Sequence, residues 1–255
     1  MHLLAQCIRN CAPDIITLQE VTRDHWQVLS REPIIADNYC LISDIPTAPY
    51  FTLLLASDVL ADECVEAGRV PFPNSSMQRD VAYARFCYDN DVDLLVMTSH
   101  LESLSENVRK RQEQMEIGLS FCRSASHVLW LGDFNWYPKP DGLLDLSSAG
   151  FVDVCCSIPH LDDPSTNNYA DCTWNPTRNG LIATQRFKPT RLDRIFVKSP
   201  SQRPCYIHNW ELIGTDAWCD PEQGEPVWPS DHFGLFAQLG WGNSTGHPSS
   251  MDICP

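Results

Sequence analysis

Positive charge is scarce in this chain: 18 Lys and Arg stand against 33 Asp and Glu, a formal net charge of −15. Coating a polyphosphate takes cationic surface, so the balance excludes a general nucleic-acid coat. It leaves room for an enzyme that grips a nucleic acid in one narrow place. No apolar run approaches membrane-spanning length, so no membrane partner is expected. The start, Met1 to Arg9, has no basic segment ahead of an apolar run and does not read as a secretory signal. Among 12 cysteines there is no C-x-x-C pair, which argues against a zinc site. Several, including Cys87, Cys155 and Cys156, lie in apolar runs and read as buried thiols in a reducing compartment. A glycine-rich phosphate loop is also lacking, since Asp141-Gly142 and Asn179-Gly180 are ordinary turns. No internal repeat and no interdomain linker is visible.

What is present is an irregular interleaving of apolar runs and polar helices. Residues 2–12 read as helix, stopped by Pro13, and Asp14-Ile15-Ile16-Thr17-Leu18-Gln19-Glu20 reads as a strand. Further strands are expected over 51–55, 81–88, 94–99, 128–131, 194–197 and 233–239. Residues 102–122, rich in Gln, Glu and Arg, have the pattern of an exposed helix, and Arg111 and Gln114 are assigned to its solvated face. The polar stretch 162–188 reads as a long loop over a site. The irregular order suggests an α/β sandwich rather than a doubly wound sheet, with one domain over 1–240 and a flexible tail over 241–255.

Polar residues collect where these strands begin or end. Glu20, His100, Asp133 with Asn135, Asp193, and Asp231 with His232 all sit at strand termini, where α/β enzymes fix side chains at a sheet rim. A single carboxylate at such a place is usually a turn or cap residue. Five such positions with two histidines among them suit hydrolysis of a phosphate ester. A hard cation takes a few carboxylate oxygens, a second carboxylate activates water, and histidines offset charge on phosphoryl oxygens.

Leu18-Gln19-Glu20, Ser99-His100-Leu101-Glu102-Ser103, Gly132-Asp133-Phe134-Asn135, Asp193-Arg194-Ile195 and Ser230-Asp231-His232 appear in the order of the endonuclease/exonuclease/phosphatase motifs. Outside those motifs, Pro49-Tyr50-Phe51-Thr52, Val70-Pro71-Phe72-Pro73, Arg79, Thr173-Trp174 and Arg191-Leu192 resemble segments of the 5′-tyrosyl-DNA phosphodiesterases. The resemblance runs from about Pro13 to Leu239. It implies a four-layered α/β sandwich of two packed sheets flanked by helices, the DNase I-like architecture. It implies Mg²⁺, with Mn²⁺ as an alternative, held by Glu20. Asp133 would activate the water and Asn135 would place it. His100, Ser103 and His232 would contact the phosphate, with Asp193 orienting His232 and Asp231 supporting the metal shell. Tyr50, Arg79 and Trp174 would line a narrow channel for the 5′ end. The partners implied are DNA 5′ ends carrying a tyrosyl or peptide adduct with a single-stranded overhang, acted on by a monomer in the nucleus, with the cytoplasm as a second location.

Two departures accompany the resemblance. Members of the family open with a strand ending in a Trp-Asn-x-x-Gly motif. The 19 residues before Glu20 contain neither, so the first strand is expected to be missing from this chain. Phe134 also stands where the tyrosyl-DNA enzymes place a small residue. Two other readings stay open: another phosphodiesterase of the superfamily, acting on abasic DNA, RNA or phospholipid, or a non-catalytic truncated form.

Overall fold

The computed structural model describes residues 1–88, 92–157, 171–182, 187–219, 224, 226–242 and 248–249. Helix α1 (His2–Cys11) buries Ala5 and Ile8, three positions apart and so on one face. It stops at Ala12, whose left-handed backbone (φ 41°) returns its N–H to the Ile8 carbonyl just before Pro13. Strand β1 (Ile15–Val21) follows, then α2 (Arg23–Leu29), α3 (Pro33–Ala36), β2 (Tyr39–Leu41), β3 (Phe51–Ser57) and α4 (Asp58–Ala61). Three long strands come next: β4 (Cys64–Pro71), β5 (Asp80–Tyr88) and β6 (Val92–His100). Helix α5 (Val108–Phe121) crosses to β7 (His127–Asp133), and β8 (Phe151–Asp153), α6 (Val154–Ser157) and β9 (Asp193–Lys198) complete that half. The rest is β10 (Cys205–Ile213), β11 (Trp218–Cys219), β12 (Pro226–Val227), β13 (Gly234–Gly242) and β14 (Pro248–Ser249).

Period-two alternation explains the layering. In β3, Leu53 and Leu55 pack outward with Ala5, Ile8, Leu29 and Ile35 of the first three helices. Leu54 and Ala56 face the opposite way, onto Ala84, Phe86, Leu94, Val96, Leu129, Ile195 and Val197. Leu95, Met97, Val128, Trp130 and Phe196 then cover the far face of the six-stranded sheet β4-β5-β6-β7-β9-β8, against Met115 of α5. Helices, a sheet, a second sheet and a helix are thus stacked in four layers, as the sequence implied. At Leu54, Leu95 or Trp130, each fully or almost fully buried, truncation to Ala costs about 2–5 kcal/mol.

The layer beside the helices is divided. It consists of β1-β3-β2 and of β10-β13-β14. Among the described residues, α1 is the one regular element before β1, and no strand pairs with the outer edge of β1. Between that edge and the start of β13 opens a cleft of about 1010 Å³.

Several expectations are corrected. The helix over 102–122 is not a solvated face: it begins at Val108, and Arg111 and Gln114 are fully buried. Their spacing with Met115 and Gly118 puts all four on the stripe that meets the sheet. Trp241 does not open a tail, because β13 continues through Gly242 and the indole is buried in the intersheet core. Residues 243–247 and 250–255 of that tail lie outside the described residues, as do 162–170 and 183–186 of the expected loop. Cys155 is buried, but Cys87 and Cys156 are exposed, near the ends of β5 and α6 where cover runs out; the 11 described cysteines are all unpaired.

Candidate active site

Strand register assembles the site. β6 and β7 are paired in parallel with His100 opposite Asp133, and β7 and β9 are antiparallel with Asp133 opposite Asp193. Three site residues therefore stand in one row across three neighbouring strands, at the rim of the cleft. Gly132 makes the pairing close: with φ at 129° it lies against the Ser99 carbonyl, where a Cβ would collide with backbone.

Glu20 reaches the same place by a different device. β1 pairs with β3 in register from Ile15 to Leu18 and then slips before Val21. That bulge holds Glu20 at φ 54° and turns its carboxylate, 65% exposed, toward the cleft. Its nearest nitrogen neighbours, Arg79 Nη2 at 3.8 Å and His100 Nε2 at 4.0 Å, stand beyond hydrogen-bonding distance. The oxygens stay free for a hard cation, which suits them.

Asp133 is buried, with Oδ2 3.2 Å from His100 Nε2 and Oδ1 accepting from the Asn135 N–H at 2.8 Å. Burial works against its charge, but the facing imidazoles of His100 and His232 and the Asn135 amide override that and hold it below the usual carboxylate range. Asn135, at φ 46°, donates from Nδ2 to Asp133 Oδ2 (3.1 Å), the Leu101 carbonyl (3.1 Å) and Ser103 Oγ (3.3 Å). His232 Nδ1 lies 2.8 Å from Asp193 Oδ2. Burial disfavours the charged ring, yet Asp193, then Asp133 and Asp231, push its pKa up to about 10. Asp193, Asp133 and His232 form a tight cluster with ligand atoms within 4.8 Å. Two carboxylates and an imidazole this close can share protons or hold a cation, and Asp193 on Nδ1 leaves Nε2 as the other ring nitrogen of His232.

Thr173 holds the far rim. Its hydroxyl accepts from the Leu192 and Asp193 N–H groups (3.1 Å each), and its carbonyl accepts from Phe233 N–H (2.8 Å). Trp174 next to it is half-buried, lines the cleft, and meets Phe187 edge-on at 6.0 Å. Tyr50 and Arg79 sit apart from Trp174, in a small crevice beside His100. Arg79 is buried, donates to the Leu101 carbonyl, and has its guanidinium 6.0 Å from the Tyr50 ring centre. Asp231 is exposed on the cleft wall and accepts from Ser230 at 3.3 Å. Glu20, His100, Ser103, Asp133, Asn135, Trp174, Asp193, Asp231 and His232 thus share one cleft.

A model of the endonuclease/exonuclease/phosphatase family matches residues 1–232. The chain belongs to this family. Among its curated relatives, the tyrosyl-DNA phosphodiesterase 2 of Gallus gallus is 27% identical over 236 residues, covering 89% of this chain and 58% of that protein. The protein of the same name from Bos taurus is 25% identical over 240 residues, covering 89% of this chain and 59% of its own length. The chain spans less than two thirds of these relatives. The family fold is matched by the crystal structure of D. rerio TDP2 complexed with single strand DNA product, with a TM-score of 0.71, 23% identity, and coverage of 94% of this chain and 93% of that one.

Sequence reasoning put Arg111 on a solvated face and Asp141 in an ordinary turn, gave Thr173 no role beyond its family segment, and missed Tyr137. The stripe of Arg111, Gln114, Met115 and Gly118 was the available signal for the first.

Proposed function

We propose that this chain is a divalent-metal-dependent phosphodiesterase that hydrolyses the bond between a tyrosine and a 5′-DNA phosphate, as left by abortive topoisomerase II. The row of His100, Asp133 and Asp193 with His232, lining one cleft together with Glu20, is the observation that carries it. The named activity of the relatives supports the substrate.

Glu20, with water, would hold Mg²⁺; Mn²⁺ fits the same oxygen donors. The ion supplies Lewis-acid stabilisation of the phosphoryl oxygens. Asp133, ionised across the neutral range, accepts a proton from water at a carboxylate oxygen while Asn135 fixes that carboxylate. The water oxygen bonds to phosphorus as the bond from phosphorus to the tyrosyl oxygen breaks, giving a 5′-phosphate and a tyrosine. The phenol that leaves has a pKa of about 10, so it departs with little help from an acid. His232 Nε2 and His100 donate to phosphoryl oxygens as charge grows there. Trp174 would stack a base of the single-stranded 5′ end. A nuclear site of action and a monomeric state go with this reading.

The test is release of tyrosine from a 5′-phosphotyrosyl oligonucleotide, with Mg²⁺ and with chelator. Metal-dependent release is the expected result. A second reading, another phosphodiester such as abasic DNA, RNA or phospholipid, draws on Arg79: it is buried and bound to the Leu101 carbonyl, not open to the cleft. Cleavage of one of these by a protein silent on the tyrosyl substrate would replace the first reading.

A further inference from the structure

Arg111 and Asp141 lie behind the site, and both side chains have no exposed surface. Arg111 Nε and Nη2 donate to the Asp141 carboxylate at 3.2 and 2.9 Å. Its Nη1 donates to the carbonyls of Glu102 (2.9 Å) and Leu104 (2.6 Å). Every guanidinium nitrogen is therefore engaged, with two different loops. The first follows His100 and carries Ser103; the second follows Asp133 and carries Asn135. Asp141 Oδ2 also accepts from the Tyr137 N–H at 2.8 Å. The Tyr137 ring lies 5.3 Å from the Arg111 guanidinium, and its hydroxyl reaches Asn135 Oδ1 at 3.4 Å. Across the gap that Arg111 spans, Asn135 Nδ2 meets Ser103 Oγ at 3.3 Å.

We propose that Arg111 and Asp141 act as a positioning clamp, setting the distance between the Ser103 loop and the Asn135 loop so that both address one phosphate. A buried ion pair is a weak source of stability, since apolar residues of like volume commonly do as well. Its geometry is what an apolar pair cannot reproduce: a planar fork tying two carbonyls of one loop to a carboxylate of the other. Leu104 is held at φ 72°, so its carbonyl is turned to Arg111 against the local backbone preference.

The catalytic consequence rests on the phosphodiesterase reading, whereas the clamp itself can be tested without it. Arg111→Lys keeps the charge and one bond to Asp141 but cannot span both loops. Arg111→Met with Asp141→Asn removes the ion pair while keeping an acceptor for Tyr137 N–H. Amide hydrogen exchange in both variants is expected to rise over 101–107 and 134–141 and to stay at wild-type levels in β6 and β7. With the phosphotyrosyl oligonucleotide, kcat is expected to fall by about 100-fold, as for a roughly 1 Å misplacement, with KM changing little. Wild-type exchange in both loops of a folded variant would overturn the clamp. So would unchanged kcat, or a loss in kcat matched by a general loss of protection. If the wild type cleaves no phosphodiester, that function fails, and the exchange data alone decide the clamp.

Discussion

Replacing Asp193 with Asn should uncouple the His232 imidazole from its charge. The ring lies 2.8 Å from the carboxylate, with side-chain exposures of 25% for His232 and 16% for Asp193. Burial pulls its pKa down, and Asp193 is the largest influence pushing it up, from 6.5 to about 10. A rise of that size corresponds to about 5 kcal/mol of preference for the charged ring, at about 1.4 kcal/mol per pH unit. An opposite charge in contact is worth about 1–3 pH units. Asp193→Asn keeps the shape and an acceptor oxygen, and Asp133 and Asp231 remain, so His232 should titrate about 2 pH units lower. NMR of the histidine ring protons across pH, assigned with His232→Gln, measures this without any substrate. The linkage has a definite sign. The folded pKa lies above the unfolded one, so this stabilisation is whole below pH 6.5 and is lost as pH rises through about 10. Wild type and variant should therefore differ most in denaturation midpoint below pH 6.5 and converge in alkali. A wild-type ring titrating near 6.5, or one indifferent to Asp193→Asn, would refute the electrostatic account.

Glu20→Gln and Asp133→Asn should each abolish turnover while leaving affinity for DNA largely intact; retained cleavage by either would show that the centre has been placed wrongly. Trp174→Ala should weaken binding of single-stranded 5′ ends by ~1–3 kcal/mol, the usual worth of one base stack, as read by fluorescence anisotropy; unchanged affinity would make the indole a packing residue. Gly132→Ala should destabilise the fold by about 2–4 kcal/mol, since a Cβ at φ 129° meets the Ser99 carbonyl. Urea denaturation measures it, and a difference within ~0.5 kcal/mol, typical of neutral surface changes, would mean that β6 and β7 are less tightly fixed than described.

The parts of the fold legible in the sequence were those where local pattern and burial agree. β3, β6 and β7 are covered on both faces and read as apolar runs, and their polar last residues stood out against them. β4 and β10 escaped because they are half-exposed. Their Glu, Gly, Arg, His and Asn residues weaken the strand pattern, and pairing with β5 and β13 supplies what propensity does not. Arg111 and Gln114 are polar by type, and only their helical spacing with Met115 and Gly118 hints at burial. Their partners Asp141 and Glu102 lie 30 and 12 positions away in sequence. Likewise, the motif named Glu20, but only the register slip against β3 shows how that carboxylate is aimed.

Five described residues other than glycine have positive φ: Ala12, Glu20, Gln78, Leu104 and Asn135. Apart from Ala12, which ends a helix, all of them line the cleft or the crevice beside it. Each such residue costs about 1–3 kcal/mol relative to a relaxed backbone. The left-handed backbone of residues other than glycine is thus gathered around the site. Evolution of this chain toward heat resistance alone would find its quickest gains at these four positions, and each gain would reshape the wall of the cleft or of the crevice beside it. Durability and chemistry here draw on the same few backbone angles, in opposite directions.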